Sequence, residues 1–139
     1  YFVQTACLFP RAKTVNIDYR LEVWRCAERQ FGEVDTSVLF PMHADDKENR
    51  FQRLAHFHRQ NRPVLQALER HFVERLPGAT GAHAIGGIRL SSLRTPLPAA
   101  GEPPPAWSRP PLAEQPGDRI KHWYYTPKSR RRAWCGEPP

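Results

Sequence analysis

A chain of 139 residues has room for one small domain at most. Its 21 Lys and Arg against 14 Asp and Glu give a formal charge of +7, a surface suited to an acidic protein, RNA or anionic lipid headgroups. No apolar run approaches the ~18 residues of a membrane-spanning helix. The three cysteines, Cys7, Cys26 and Cys135, include no C-x-x-C pair, so neither a zinc site nor a disulfide framework is indicated.

Residues 1–44 read as an N-terminal segment with one helix. Phe2, Val3, Leu8 and Phe9 make its first ten residues apolar and extended. Asn16 or Asp18 is a candidate cap. Ile17, Leu21, Trp24 and Phe31 follow at intervals of four, three and seven, which places them on one helical face that Gly32 would end. The chain starts at Tyr1 without a Met, which fits a cleaved transit peptide. A Cys7–Cys26 bridge is an open alternative without support in the spacing, and reduced thiols in a cytosolic or matrix setting are the default.

Residues 45–76 read as a helix–turn–helix, and the rest of the chain is organised around it. Asp45 and Glu48 have capping-box spacing. Phe51, Leu54, Ala55 and His58 then fall on one face. Arg62-Pro63 interrupts the pattern near Asn61, because the residue before a proline is pushed out of the α region. Leu65, Leu68, Phe72 and Leu76 form the stripe of a second helix that Pro77-Gly78 stops. The expected fold is therefore mainly α: a small three-helix portion with Trp24, Phe31, Phe51, Leu54, Leu65, Leu68 and Phe72 at its centre.

Residues 77–139 read as an extended, Pro-rich, basic tail without regular structure. Eleven of the 15 prolines lie at Pro96 or later, and this part holds nine basic against four acidic residues. Residues 78–87 carry four glycines and read as a flexible joint; no GK[ST] ending marks a phosphate-binding loop. Ile88, Leu90 and Leu93 suit one short strand. Pro103-Pro104-Pro105 before Trp107 favours polyproline II, a conformation cheap to immobilise on a surface. A segment with no fold of its own is most simply held by a neighbouring molecule.

The candidate partner-binding residues are Trp107, His122, Trp123, Tyr124, Tyr125, Arg130, Arg131, Arg132 and Trp134. Aromatics beside a basic run stack on bases while cations meet phosphate, or anchor a protein interface, where Trp, Tyr and Arg carry much of the binding energy. His56, His58 and His71 lack the spacing of a metal site. Ser91-Ser92 lies in no G-x-S-x-G frame, and no nucleophile–base pair stands out. Neither catalysis nor a cofactor, metal or small-molecule substrate is expected.

From Lys121 to Pro139 the order is Lys121-His122, Tyr124-Tyr125, Thr126, Arg131-Arg132 and Pro138, after a proline cluster. With Ile88-Arg89-Leu90, Arg94-Thr95 and the triple proline, this resembles the C-terminal half of a small basic accessory subunit of mitochondrial respiratory complex I. The resemblance spans residues 86–139. It implies a non-catalytic structural subunit on the matrix side of the inner membrane, bound to other protein subunits through its helices and a strap-like tail. The alternative is a mitochondrial ribosomal protein whose tail contacts rRNA.

Overall fold

A computed structural model describes residues 15–36, 50–75, 84–99, 101–102 and 110–137. Strands β1 (Val15–Arg25), β2 (Gln30–Glu33), β3 (Ile85–Pro96) and β4 (Ile120–Tyr125) form one antiparallel sheet in the order β2-β1-β3-β4. Helices α1 (Arg50–His58) and α2 (Arg62–Arg75) cover one face, and α3 (Lys128–Trp134) follows β4. The fold is α+β, which corrects the mainly α expectation.

The first correction falls on the segment that reads as a helix from Ile17 to Phe31. Tyr19, Leu21 and Val23 alternate with the polar Arg20 and Glu22 at a period of two; the three are the buried apolar positions of β1, and Arg20 and Glu22 are buried between them as ion-paired residues of the other face. Of the residues at four-three-seven spacing, Ile17 and Leu21 fall in step with that alternation and Trp24 falls on the other face, so the four make no common stripe. Leu21 lies in the core, Ile17 is exposed, and Trp24 pairs across the hairpin with Phe31. Gly32 sits within β2 rather than ending a helix. Arg29, in the left-handed region at φ 53°, closes the turn between β1 and β2.

The second correction concerns the tail. The short strand expected around Ile88 to Leu93 is β3, 12 residues long and central in the sheet. Residues 85–87, read as part of a flexible joint, begin that strand. The described prolines of this part lie at the ends of elements or between them: Pro96 ends β3, Pro116 precedes a short 3-10 turn and Pro127 precedes α3. The intervening Ile120–Tyr125 and Lys128–Trp134 are free of proline and form β4 and α3. Residues 120–134 thus return to the protein's own sheet rather than forming an extended strap.

Register places Leu21 opposite Leu90 and Val23 opposite Ile88. Onto this face α1 brings Phe51 and Ala55, and α2 brings Leu65, Leu68 and Phe72. Burying each large side chain there contributes roughly 1.5–3 kcal/mol. Leu54 packs at the edge of this core, whereas Trp24 and Phe31 belong to the sheet's other face. The helix pair joins near Asn61, as the sequence suggests. The Asn61 carbonyl accepts from the Leu65 amide, and its side-chain oxygen accepts from the Val64 amide at 3.4 Å. The Asp45–Glu48 cap lies outside the described residues, as does Trp107.

One edge of β1 extends beyond the short β2. There Gln52 of α1 accepts from the Tyr19 amide and donates to the Tyr19 carbonyl, both at 2.7 Å. A primary amide has the donor and acceptor that a neighbouring strand would offer, so it caps this stretch of edge. On the opposite face Glu22 and Glu33 stand directly across from one another. Their repulsion is offset because Arg89 grips Glu22 through two bonds of 2.6 and 2.7 Å. Glu33 in turn takes Arg20 at 2.8 Å and the Leu112 amide at 2.7 Å.

Candidate functional site

The expected site residues lie on β4, the corner after it, and α3. Thr126 makes that corner. Its amide donates to the Ile88 carbonyl at 2.9 Å, and the Ile88 amide donates to its hydroxyl at 2.8 Å, so Thr126 continues the ladder where β4 ends. Thr126 is fully buried against Gly87, where a Cβ would lie 2.5 Å from the Thr126 side chain. Arg131 then donates its amide to the Pro127 carbonyl at 3.0 Å as α3 begins.

A bulge at Leu90/Ser91 adds one residue to β4. Leu90 pairs with Tyr124 and Ser91 with His122, so Trp123 is the inserted residue. The bulge brings Trp123 onto the helix-covered face beside Tyr124. There the Trp123 ring nitrogen donates to Ser92 Oγ at 2.8 Å, and the indole carries Lys121 at 4.1 Å and Arg59 at 5.0 Å.

Between the α1–α2 turn, the face of α2 and β4 lies a cleft of about 600 Å³. Trp123, Tyr124 and Tyr125 line it from the sheet, Arg59 from the α1–α2 turn, Arg62 and Gln66 from α2, and Pro127 and Arg130 from the α3 end. Beneath it sits Glu69, a fully buried carboxylate. Tyr124 donates its hydroxyl to Glu69, and Arg130 Nη1 donates to both carboxylate oxygens at 3.2 Å. Burial, then the hydrogen bond to Glu69, raises the Tyr124 phenol well above its ordinary value. Glu69 is thereby satisfied internally, while Arg59, Arg62 and the exposed part of Arg130 give the cleft a positive rim.

The run Arg130–Arg132 does not act as one stripe. Arg130 turns to Glu69 on the helix side, whereas the Arg131 guanidinium lies on the other side, 4.2 Å from the Trp24 ring and 5.2 Å from the Phe31 ring. Arg132 pairs with Glu137 at 3.5 Å. Arg131 and Arg132 line a second, smaller cavity of about 240 Å³ with Trp24, Arg29, Lys128 and Glu137. Trp134 is half-buried, 5.9 Å from Arg130. His122 lies away from both cavities.

α3 is anchored by a Cys26–Cys135 disulfide that joins the β1–β2 turn to the end of the helix, 109 residues later. The sequence reading, which left the thiols reduced, is corrected here. Nothing in the spacing marks this pair, because only the sheet brings the two cysteines within 5.4 Å Cα to Cα. Gly86 is the residue that lets them meet: a Cβ there would lie 2.5 Å from Cys135 Sγ and 3.0 Å from the Arg131 carbonyl oxygen.

Ser91 and His122 form a pair that the sequence does not reveal, with Oγ 2.8 Å from Nδ1 across β3 and β4. Burial, then Arg89, lowers the His122 pKa below its ordinary 6.5. A nucleophile must reach a substrate. Ser91 is fully buried on β3 and neither residue lines either of the two cavities above; the pair is a cross-strand bond. Among the described residues no cluster of three or more His, Cys, Asp or Glu is arranged to hold a metal ion. No described helix is long and apolar enough to cross a membrane.

The chain was compared with protein-family models, curated proteins and solved structures, and none matches it.

Proposed function

We propose that the protein is a non-catalytic binding module that docks an acidic, extended segment of a partner protein in the cleft between α2 and β4, as an accessory component of a larger assembly. The observation that carries this is the ring of Arg59, Arg62 and Arg130 around an aromatic floor beside an edge strand. A strand edge next to a helix is a recurrent seat for an extended peptide: main-chain bonds along the edge supply affinity and flanking side chains select the sequence. Tyr125, 62 % exposed at the rim, is the aromatic with most surface left to bury.

RNA fits less well. A base stacking on Trp123 would have to displace Lys121 or Arg59, Tyr124 is buried, and the three consecutive arginines are divided between two faces. Membership of respiratory complex I rests on the resemblance over residues 86–139. Several of the residues that carry it also have structural roles, Arg89 against Glu22 and Tyr124 against Glu69 among them. The disulfide suits an oxidising compartment better than the matrix.

The test is a calorimetric titration of the whole protein with a short oligoglutamate peptide and, separately, with oligouridine. Saturable peptide binding that disappears in Arg59→Glu/Arg62→Glu supports the docking cleft. Peptide binding unchanged in that variant refutes it. Oligouridine binding that falls with salt by about 0.7 log units per contacted phosphate would carry the rRNA alternative instead. Co-migration of tagged protein with a respiratory complex on native gels tests the finer assignment.

A further inference from the structure

The smaller cavity beside the disulfide carries an excess of positive charge that the described residues do not balance. Arg29, Lys128, Arg131 and Arg132 line it with a single carboxylate, Glu137. That carboxylate is already shared, at 3.0 Å with Arg29 and at 3.5 Å with Arg132. Lys128 makes no ion pair with another described residue. Arg131 is the fixed member. Its guanidinium packs over Trp24 and Phe31, and its Nε is buried without an acceptor among the described residues. A buried charged donor left unpaired is a costly arrangement that native structures retain chiefly where something else supplies the acceptor.

We infer that this cavity is a binding site for a tetrahedral oxyanion, a phosphoryl group above all, held by Arg29, Lys128, Arg131 and Arg132. A phosphate presents acceptor oxygens in several directions and carries up to two negative charges, which matches cations converging from the β1–β2 turn and from α3. A carboxylate offers acceptors along one plane and a single charge. Burial, then the Arg89 guanidinium, lowers the Arg131 pKa, so an anion beside Arg131 would be drawn to a charge that its surroundings disfavour. The volume of about 240 Å³ leaves room for the group that bears the phosphate. The site lies apart from the α2–β4 cleft and stands whether or not that cleft binds peptide.

Inorganic phosphate is the first probe, titrated into the oxidised protein at constant ionic strength against chloride and followed by thermal shift and by amide resonances. Phosphate should raise the melting temperature saturably by several degrees and move resonances of residues 128–132 and of Arg29. Lys128→Gln/Arg132→Gln, both exposed positions, should melt with wild-type protein in chloride and lose at least tenfold in phosphate affinity. Sedimentation with phosphatidylcholine vesicles, with and without phosphatidic acid, separates the sources. Lipid-dependent sedimentation lost in the variant assigns the headgroup, and its absence beside a phosphate effect assigns a soluble phosphate compound. A phosphate response no larger than that of chloride, or one equal in the variant, overturns the site.

Discussion

Removing the Cys26–Cys135 bond should reveal how much of the fold it holds. The bridge closes a loop of 109 residues, and in the chain-entropy description a loop near 100 residues contributes about 4.7 kcal/mol. The loss is concentrated where the bond acts, because α3 also carries Arg130 to Glu69 and Arg131 to Trp24. At roughly 3–4 °C per kcal/mol for a chain of this size, Cys26→Ser/Cys135→Ser should melt roughly 15 °C below wild type. Circular dichroism melts with and without reductant measure this. Reductant should bring wild type down to the variant and leave the variant unmoved. After denaturation without reductant, one thiol, Cys7, should titrate, against three with it. Equal melting temperatures with and without reductant, or three titratable thiols in untreated protein, would refute the reasoning.

Four further outcomes follow from the site. Tyr124→Ala, at 9 % exposure, should cost about 3–5 kcal/mol in urea unfolding, whereas Tyr125→Ala at the rim should stay within about 0.5 kcal/mol of wild type. Glu69→Leu strands the buried Tyr124 hydroxyl and should cost about 1–3 kcal/mol, a loss that Tyr124→Phe in the same chain should partly restore. The Tyr124 pKa is raised in the fold, so its stabilising effect is complete below the ordinary value of 10 and declines as pH rises above it. Unfolding followed from pH 8 to 11 should therefore fall less steeply at the alkaline end in Tyr124→Phe. Conversely, the His122 pKa is lowered, so the unfolded chain takes up a proton first as pH drops through 6.5; the ring should titrate below that value by NMR, and stability should decline there.

What sequence periodicity conveys depends on whether a segment has one pattern or two. In α1 and α2 a single 3.6-residue period, broken at Pro63, points to the correct elements and to Phe51, Leu65, Leu68 and Phe72 as core. In β1 the helical spacing of Ile17, Leu21 and Trp24 competes with the two-residue alternation of Tyr19, Leu21 and Val23. Tertiary pairing with β3 decides it. Proline count misleads for residues 97–137 because proline terminates elements without excluding those between. At the site, Trp123, Tyr124, Tyr125 and Arg130 do converge. The residues that complete the cleft, Arg59, Arg62 and Gln66, are contributed by the α1–α2 turn and α2 some 60 positions earlier, and no local pattern links them to β4. The bulge that turns Trp123 inward and the bond between Cys26 and Cys135 are likewise products of the sheet.

Amide hydrogen exchange at β4 bears most directly on whether the C-terminal segment belongs to the fold. In the free monomer the Thr126 amide, bonded to the Ile88 carbonyl, and the β4 amides that pair with β3 should exchange about as slowly as the centre of β3. Exchange there at the rate of an unfolded peptide, with β1 and β3 still protected, would mean that residues 120–126 are not part of the sheet and that the cleft they line does not exist in the isolated protein.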